Sequence, residues 1–466
     1  MKTIDHPIVI VGGGMTGTLA ALFIKKREPR AEVILVERSG QVGGSYRGVH
    51  LPGFGYCDRA MRLIYETGLP EFDSILHGLL PPEEWHVLAD NVKDVVGAYW
   101  RGQLQKYSPY LDLRRLEEPE RRACERELLE RLRHSGGESG HAEDASQYLR
   151  ARFGPTAGGY VEKVLEKFYC MPASDLHETA TYQPAMNRVI LYGEDEMGPV
   201  MRDEKLRALI AWPDQLTLPV KRQPSQSGLY PRRFGINRVI DAAFQQLQDQ
   251  GVRLLLNRGV ASLKIDGDAV TAVTLDDGTV IENPALLIGA NGLHGSLSVL
   301  RKGNAPEPAG FTPPRCWQVF LRVTERPNMD GLYHFWCFDE TCRTFRVTSY
   351  ANYCPDAKTA DGYPLCVEVW SSDAEPRQAI HRAVDELGRM NIISGHEAIS
   401  AWAAIPAMNM HGLCTMEHVR RLRAMRQELK ELSPANMITV GPFIEDGVML
   451  LYEVCRKMCT LISQRL

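Results

Sequence analysis

The chain has 466 residues, 24% of them charged, and a formal net charge of −4 at pH 7. This near balance of charge argues against a nucleic-acid-binding protein, which would carry a basic face, and no apolar segment reaches the length of a membrane span. The 11 cysteines form no C-x-x-C pair and the 13 histidines form no H-E-x-x-H motif. The composition therefore predicts a cytoplasmic protein with reduced thiols and without a metal site.

The first predicted element is a buried parallel strand at residues 8–11, Ile-Val-Ile-Val, which runs directly into a glycine-rich turn. Gly12, Gly14 and Gly17 follow the strand at G-x-G-x-x-G spacing. In such a turn the first glycine permits the sharp bend, the second lets a pyrophosphate approach the backbone, and the third lets the next helix pack closely. The free N–H groups at the start of that helix would face the phosphates.

A second apolar strand follows at residues 33–37 and ends in Glu37, 20 residues after Gly17. An acidic side chain at this position accepts hydrogen bonds from a ribose 2′-OH, and its charge excludes a 2′-phosphate. The strand, the helix and the acid together predict a dinucleotide site that does not take NADP. A glycine-rich turn without a ligand is the alternative.

Gly43 and Gly44 follow Glu37 after five residues, and Ala20-Ala21 lies in the intervening helix. With the glycine-rich turn, this pattern resembles the dinucleotide-binding fingerprint of the glutathione-reductase-type flavoproteins. Within them it resembles the branch of amine oxidases, protoporphyrinogen oxidase, phytoene desaturases and UDP-galactopyranose mutase. The resemblance implies FAD as cofactor and an α/β fold, in which a discontinuous Rossmann-like FAD-binding domain is joined to a substrate domain made of an antiparallel sheet and a helical insertion.

Residues 53–62 correspond to a segment that, in the resembled families, carries an aspartate close to the flavin ring. Here the aspartate is Asp58, Ala60 stands where glycine is usual, and Arg62 stands where histidine is common in the mutase. A surface ion pair between Asp58 and Arg62 is the alternative interpretation.

The resemblance implies FAD contacts from the glycine-rich turn, the end of the second strand, the Gly-Gly segment, the segment after Asp58, one later strand and a turn near the C-terminus. The candidate cofactor-binding residues are Gly12, Gly14, Met15, Thr16, Gly17, Glu37, Arg38, Gly43, Gly44, Ser45, Arg59, Ala60, Met61, Val260, Gly441 and Val448.

Three parts of the chain, residues 1–65, 216–300 and 431–466, are assigned to the FAD-binding domain. In the resembled family, a valine at the position of Val260 contacts the adenine through backbone atoms. The helix predicted from Gly447 onward would direct the positive end of its dipole at the flavin.

Residues 66–215 are predicted to form a largely helical, charged insertion. It resembles the insertion that forms one wall of the substrate cavity in the amine-oxidase and mutase branch. Arg188, Tyr192 and Trp212 lie in less regular sequence and could face that cavity, although a packing or surface role is expected more often for each.

Residues 301–430 are predicted to form a substrate domain of antiparallel strands with alternating polar and apolar residues, followed by an amphipathic helix at 374–390. One face of this sheet would be solvated or would line the cavity. Arg346 could bind a carboxylate or phosphate through two hydrogen bonds, or pair across strands. The candidate substrate contacts are Arg62, Tyr230, His334, Arg346 and Tyr350, with Asn352 as a further residue to test.

The predicted function is that of an FAD-dependent oxidase or dehydrogenase that transfers hydride from a small or medium organic substrate to flavin N5. No catalytic residue is assigned, because such flavin chemistry needs few catalytic side chains. The alternative is a non-redox enzyme resembling UDP-galactopyranose mutase, and a third hypothesis is a binding protein without turnover. The mutase-like hypothesis requires arginines that bind a diphosphate, and the candidates are Arg188, Arg322, Arg343 and Arg346.

Overall fold

The structure, a computed structural model, describes residues 6–135, 142–182, 185–223, 225–301, 316–371, 375–407 and 414–466. These residues form a mixed α/β fold in which a parallel sheet and a larger, mostly antiparallel sheet contribute to one shared hydrophobic core. The predicted fold class is confirmed. None of the described helices is long and apolar enough to cross a membrane.

The strands, in chain order, are β1 (Ile8–Val11), β2 (Val33–Glu37), β3 (Val49–Leu51), β4 (Gly55–Cys57), β5 (Ile64–Tyr65), β6 (Trp85–Leu88), β7 (Val96–Trp100), β8 (Gln103–Gln105), β9 (Leu111–Asp112), β10 (Val189–Ile190), β11 (Gly228–Pro231), β12 (Arg253–Leu256), β13 (Val260–Asp266), β14 (Ala269–Leu275), β15 (Val280–Glu282), β16 (Leu286–Gly289), β17 (Cys316–Val323), β18 (His334–Cys337), β19 (Thr344–Ser349), β20 (Tyr363–Trp370), β21 (Ile399–Ala407) and β22 (Met437–Thr439).

The α-helices are α1 (Met15–Arg27), α2 (Pro70–His77), α3 (Glu118–Ser135), α4 (Ala145–Phe153), α5 (Pro155–Tyr169), α6 (Met197–Arg202), α7 (Glu204–Leu209), α8 (Asn237–Asp249), α9 (Gly292–Leu300), α10 (Tyr350–Tyr353), α11 (Pro376–Arg389), α12 (Met416–Leu432) and α13 (Leu451–Ser463).

The five-stranded sheet is Rossmann-like, with the order β12-β2-β1-β16-β22 and all strands parallel. Its central strand β1 is covered on both faces. Ile8 and Ile10 pack into the core that contains α1 and α8, whereas Val9 packs against residues of β14 and β15. A strand covered on both faces needs a continuous apolar run, which explains the sequence of β1. The five strands come from three separated parts of the chain, so the domain is discontinuous.

The seven-stranded sheet has the order β21-β17-β20-β19-β18-β7-β8 and is antiparallel except where β18 and β7 run parallel. Its central strands are also covered on both faces. Val347 packs into the core that contains α11, whereas Trp336 and Phe345 contact Phe168 of α5. One end of the sheet borders a cavity, which His334 and Arg346 line.

The part predicted as a helical insertion also supplies strands. β6 pairs with β11, and β7 and β8 extend the seven-stranded sheet. β21 is an unpredicted strand, because its alanine-rich sequence has low β-propensity and its pairing along the whole of β17 stabilises it. The helix predicted at 374–390 corresponds to α11, and residue 374 lies outside the described residues.

Candidate functional site

The turn between β1 and α1 forms a cradle from backbone atoms. Gly12 has a φ of +106°, and a Cβ there would lie 2.9 Å from the carbonyl carbon of Ala290. A Cβ on Gly17 would lie 1.9 Å from the Gly12 carbonyl oxygen, so only glycine lets α1 pack this closely. A Cβ on Gly14, which precedes α1, would meet no atom within 4 Å. Gly14 therefore faces open space in which a phosphate can reach the N–H groups of the first turn of α1.

Glu37 closes one side of this cradle at the end of β2. One carboxylate oxygen accepts a hydrogen bond from the Gly13 N–H at 2.6 Å, and the other accepts from the N–H and the hydroxyl of Ser39, each at 2.8 Å. These bonds fix the carboxylate beside the turn. A carboxylate can accept more hydrogen bonds than these three, so a ribose hydroxyl can still bind here.

The Gly43-Gly44 pair supports the cradle from behind. The Gly43 N–H donates to the Gly13 carbonyl at 2.7 Å, and a Cβ on Gly44 would lie 3.0 Å from the Cα of Gly14. The φ values of the two glycines are +107° and +54°. This conformation brings the second glycine segment against the first and places the next residue, Ser45, on the cavity wall.

A cavity of about 1540 Å³ extends from the cradle to the seven-stranded sheet. It exceeds the roughly 300–1,000 Å³ of an ordinary ligand pocket, so it has room for a dinucleotide and a second molecule. The predicted cofactor-binding residues that line it are Gly12, Gly14, Met15, Thr16, Glu37, Arg38, Ser45, Met61 and Val260. The predicted cofactor-binding residues that do not line it are Gly17, Gly43, Gly44, Arg59, Ala60, Gly441 and Val448.

For these seven positions, contact with FAD stays a prediction. Gly17, Gly43 and Gly44 allow the close backbone packing described above. Ala60 is fully buried with a φ of +60°, so it turns the chain and leaves the cavity position to Met61. Near the C-terminus, Pro442 and Met449 line the cavity where Gly441 and Val448 were expected.

The last helix begins later than predicted, at Leu451 and not at Gly447. Its N-terminus still borders the cavity. The Glu453 carboxylate accepts hydrogen bonds from the N–H groups of Met449 and Leu450, at 2.9 and 2.8 Å. Because a negative side chain already caps the helix, the attraction of its positive end for a further negative group is reduced.

Asp58 lies in a buried hydrogen-bond network behind the cavity. Its carboxylate is fully buried and accepts from the Tyr56 hydroxyl at 2.5 Å, the Tyr230 hydroxyl at 2.6 Å and the Ile236 N–H at 3.1 Å. Burial raises the pKa of Asp58, and the tyrosine hydrogen bonds offset this only in part. The alternative of a surface ion pair with Arg62 is therefore wrong.

Of the five predicted substrate contacts, Arg62, His334 and Arg346 line the same cavity. Tyr230 and Tyr350 do not line it, which corrects their assignment. Both tyrosines are fully buried, and their hydroxyls donate to the carboxylate and the backbone carbonyl of Asp58, respectively. Two polar aromatic residues near the site thus serve to hold the aspartate.

The other candidates lie away from the cavity. Asn352 donates to the Leu332 carbonyl at 2.8 Å, and Arg322 donates to the Phe54 carbonyl at 2.7 Å. Arg346 is the one member of the predicted diphosphate-binding group that lines the cavity, so that group does not assemble. The remaining residues that were expected near the cavity and do not line it are Arg188, Tyr192, Trp212 and Arg343.

His334, the first residue of β18, is 8% exposed and packs edge-on against Trp336 with ring centroids 5.5 Å apart. Its Nδ1 has no hydrogen-bond partner among the described residues. Burial, and then the charge of Arg346, lower the pKa of His334 to about 3. The imidazole is therefore neutral at physiological pH, and Nδ1 can form one hydrogen bond with a bound molecule.

Two guanidinium groups lie at the same end of the cavity. Arg346 of β19 pairs with the fully buried Glu368 directly opposite on β20 and lies over the Trp336 ring, 5.0 Å from its centre. Burial lowers the pKa of Arg346, but the carboxylate outweighs it and the net shift is upward. Arg62 lies over the Tyr46 ring at 5.6 Å, and burial together with Arg346 lowers the pKa of Arg62.

Sequence reasoning missed several aromatic residues of this wall. Trp336 had a usable signal, because it lies two residues after His334 on one strand and must share its face. Tyr46 follows the glycine pair after one residue, Ser45. Tyr65 and Tyr182 also line the cavity, and neither lies in a motif.

Comparison with known proteins gives a family match for part of the chain and structural likeness for nearly all of it. Residues 10–77 match the family described as an NAD(P)-binding Rossmann-like domain. No curated protein sequence matches the chain significantly.

Three solved structures illustrate the likeness. Reduced UDP-galactopyranose mutase has a TM-score of 0.73 at 17% identity, over 99% of this chain and 95% of that one. A protein provisionally named protoporphyrinogen oxidase from Exiguobacterium sp. 255-15 has a TM-score of 0.66 at 16% identity, over 99% of both chains. Putrescine oxidase bound to putrescine has a TM-score of 0.58 at 14% identity, over 98% of this chain and 99% of that one. The chain therefore shares the fold of these proteins along its whole length.

The described residues contain no group of three or more histidine, cysteine or acidic side chains placed to bind a metal ion. Where the cavity meets the seven-stranded sheet, its lining includes the imidazole of His334 and the guanidinium groups of Arg62 and Arg346.

Proposed function

We propose that this chain is an FAD-dependent oxidoreductase, an oxidase or dehydrogenase that acts on a small or medium organic substrate. The observation that supports this most is one continuous cavity, bordered by Gly14 and Glu37 at one end and by His334 and Arg346 at the other. FAD bound in it would supply the capacity to accept hydride. The residues of the chain would bind the two molecules and orient them.

The residues of the cradle fit a dinucleotide. Gly14 leaves open space at the N-terminus of α1, and Glu37 is held beside the turn where a ribose hydroxyl would bind. The negative charge of Glu37 disfavours a 2′-phosphate. The cavity volume of about 1540 Å³ leaves room for a substrate beside the cofactor.

Arg62, His334 and Arg346 form the wall of the cavity opposite the cradle, here called the far wall. This wall favours a substrate with an anionic group. Because Glu368 pairs with Arg346, the two arginines leave one net positive charge at this wall, which would repel a molecule that is cationic at both ends, as a diamine is. His334, which stays neutral, would form one hydrogen bond with the substrate and so position it. These residues would bind the substrate and would not take part in covalent chemistry.

The second candidate function is a non-redox reaction on a nucleotide sugar, as in the mutase. The same two arginines favour it, because a diphosphate also suits two guanidinium groups. The absence of Arg188, Arg322 and Arg343 from the cavity wall weakens it.

The decisive experiment is spectroscopic. The purified protein is titrated with FAD, and amines, amino acids, NADPH and UDP-sugars are then added without oxygen. Bleaching of the flavin absorption by an organic substrate, with recovery in air, is expected for an oxidase. A UDP-sugar effect on the dithionite-reduced spectrum alone would favour the mutase-like function. A protein that takes up no FAD would overturn both.

A substitution at Gly14 separates binding from folding. Gly14→Leu should weaken FAD binding at least about 100-fold, or by about 2.7 kcal/mol, because the side chain fills the phosphate position. Its melting temperature should not fall, since a Cβ there meets no atom within 4 Å. Gly159→Leu in α5, where a Cβ also meets nothing within 4 Å, is the matched control and should bind FAD normally.

A further inference from the structure

Cys337 and Cys342 lie beneath an exposed turn that joins β18 to β19. Cys337 ends β18 and Cys342 lies two residues before β19, while Glu340, Thr341 and Arg343 of the turn are exposed. The two cysteines are 2% and 5% exposed. Cys337 and Cys342 flank the turn and belong to the same buried cluster, and each is the ionisable neighbour that most affects the other.

A lysine from the helical layer is held against the same sulfur. The Lys167 ammonium of α5 lies 3.3 Å from the Cys337 sulfur and donates to the Thr344 carbonyl at 3.1 Å and to the Cys337 carbonyl. These contacts occupy the three donors of the ammonium and fix its position. A cation fixed beside a thiol stabilises the thiolate form.

The groups that face Cys337 are Lys167, Cys342, Tyr99 and Asp339. Burial raises the pKa of Cys337, but the hydrogen bond from Cys342, the charge of Lys167 and the N–H of Asp339 outweigh it and lower the pKa to about 7. The hydrogen bond with Cys337, and then burial, raise the pKa of Cys342. Near neutral pH Cys337 is therefore partly ionised, whereas Cys342 stays a thiol.

The other nine cysteines differ from Cys337, because burial dominates and the net shift of the pKa is upward for every one of them. Cys455 and Cys459 are four residues apart on α13, and both are buried. This second adjacent pair serves as an internal control.

We propose that Cys337 and Cys342 are a reversible dithiol–disulfide site that hydrogen peroxide closes. The Cys337 thiolate attacks one peroxide oxygen: an S–O bond forms, the O–O bond breaks and hydroxide leaves, which gives a sulfenic acid. The Cys342 sulfur then displaces that oxygen, which takes the Cys342 proton and leaves as water as the S–S bond forms. Two sulfurs are oxidised and one peroxide is reduced, and an external dithiol reverses the reaction.

The turn between these cysteines joins the two strands that carry His334 and Arg346 to the cavity. Disulfide formation would remove the thiolate that Lys167 faces and would tie the end of this hairpin. The proposal does not depend on the cofactor or the substrate, because the sulfur chemistry is measured directly.

The test uses the full-length protein. It is reduced, desalted and treated with hydrogen peroxide at about pH 7.5, after which free thiols are blocked with N-ethylmaleimide and peptides are analysed by mass spectrometry. A disulfide between Cys337 and Cys342 is expected, at least about tenfold faster than any product at Cys455 or Cys459, and dithiothreitol should remove it. Equal rates at the two pairs, or over-oxidised Cys337 beside a free Cys342, would overturn the proposal.

Substitution of the lysine tests the origin of the reactivity. Lys167→Met should slow disulfide formation about tenfold and shift the pH dependence of Cys337 alkylation by iodoacetamide upward, whereas Lys167→Arg should preserve both. Lys163→Met, at an exposed position of the same helix, is the control. An unchanged rate in Lys167→Met would remove the lysine from the proposal, and the wild-type measurement stands even if this variant does not fold.

Discussion

The two ends of the cavity are built in opposite ways. The cradle consists of backbone from one short segment, and it works because Gly12, Gly14 and Gly17 lack side chains. The far wall consists of side chains, and Arg62 and Arg346 come from distant parts of the chain. A backbone turn is specified locally and binds through N–H groups that do not titrate, whereas a side-chain wall depends on buried charges. Substitutions and pH should therefore affect the two ends differently.

The largest loss of stability is expected when the ion pair between Arg346 and Glu368 in the far wall is removed. Arg346→Met leaves the fully buried Glu368 without its cation, which should lower the free energy of unfolding by about 3–5 kcal/mol. Urea denaturation followed by circular dichroism measures this loss. The double variant Arg346→Met/Glu368→Leu should recover most of it, and a single-variant loss below about 1 kcal/mol would show that the pair is dispensable.

One methyl group added to the cradle should lower the free energy of unfolding almost as much. A Cβ at Gly17 lies 1.9 Å from a backbone oxygen that cannot move independently of β1, so Gly17→Ala should cost about 3 kcal/mol. The control is Gly388→Ala in α11, where a Cβ meets no atom within 4 Å. That variant should be unchanged or more stable by about 0.5–1 kcal/mol, and equal losses in both would refute the packing argument.

A smaller loss is expected at Asp58, which lies between the two ends. Asp58→Asn replaces an acceptor that two tyrosine hydroxyls and one N–H share, and it should cost about 1–3 kcal/mol of unfolding free energy. Asp241→Asn, at a carboxylate that is 57% exposed and pairs with Arg47, is the control. It should change stability by no more than about 0.5 kcal/mol.

The last expected effect is a slope of stability against pH, which appears only in acid. Because the pKa of His334 is lowered to about 3, the unfolded chain binds a proton below about pH 6.5 that the folded protein does not bind. The contribution of His334 to the free energy of unfolding is fully present above that pH. It is lost as the pH falls toward 3, by about 1.4 kcal/mol per pH unit. His334→Gln should flatten the dependence of stability on pH between about 4 and 6. The exposed His50→Gln should leave it intact, and parallel curves for wild type and His334→Gln would contradict the assignment.

The sequence was informative where structure is local. The turn from Gly12 to Gly17 and the acid at Glu37 are close in sequence, so their arrangement could be predicted from spacing. The same reasoning failed for Tyr230 and Tyr350, because a sequence does not reveal that both hydroxyls bind Asp58. The predicted diphosphate-binding group of arginines did not assemble either, because the sequence does not show which arginines reach the cavity.

The start of the last helix could not be read from periodicity. Gly447 and the residues after it do not differ from a helical pattern in composition, and the boundary depends on the hydrogen bonds of Glu453 to Met449 and Leu450. Strand β21, in contrast, depends on its distant partner β17. Long-range pairing, more than local preference, decided that strand.

The central position of β1 has a consequence for synthesis of the protein on the ribosome. β1 lies between β2 and β16. One edge of this apolar strand can pair as soon as β2 emerges, but the other edge waits for a strand that is made about 250 residues later, or roughly 12–50 s at typical elongation rates. During that time the nascent chain presents an open, hydrophobic strand edge, which is a template for aggregation and a binding site for chaperones.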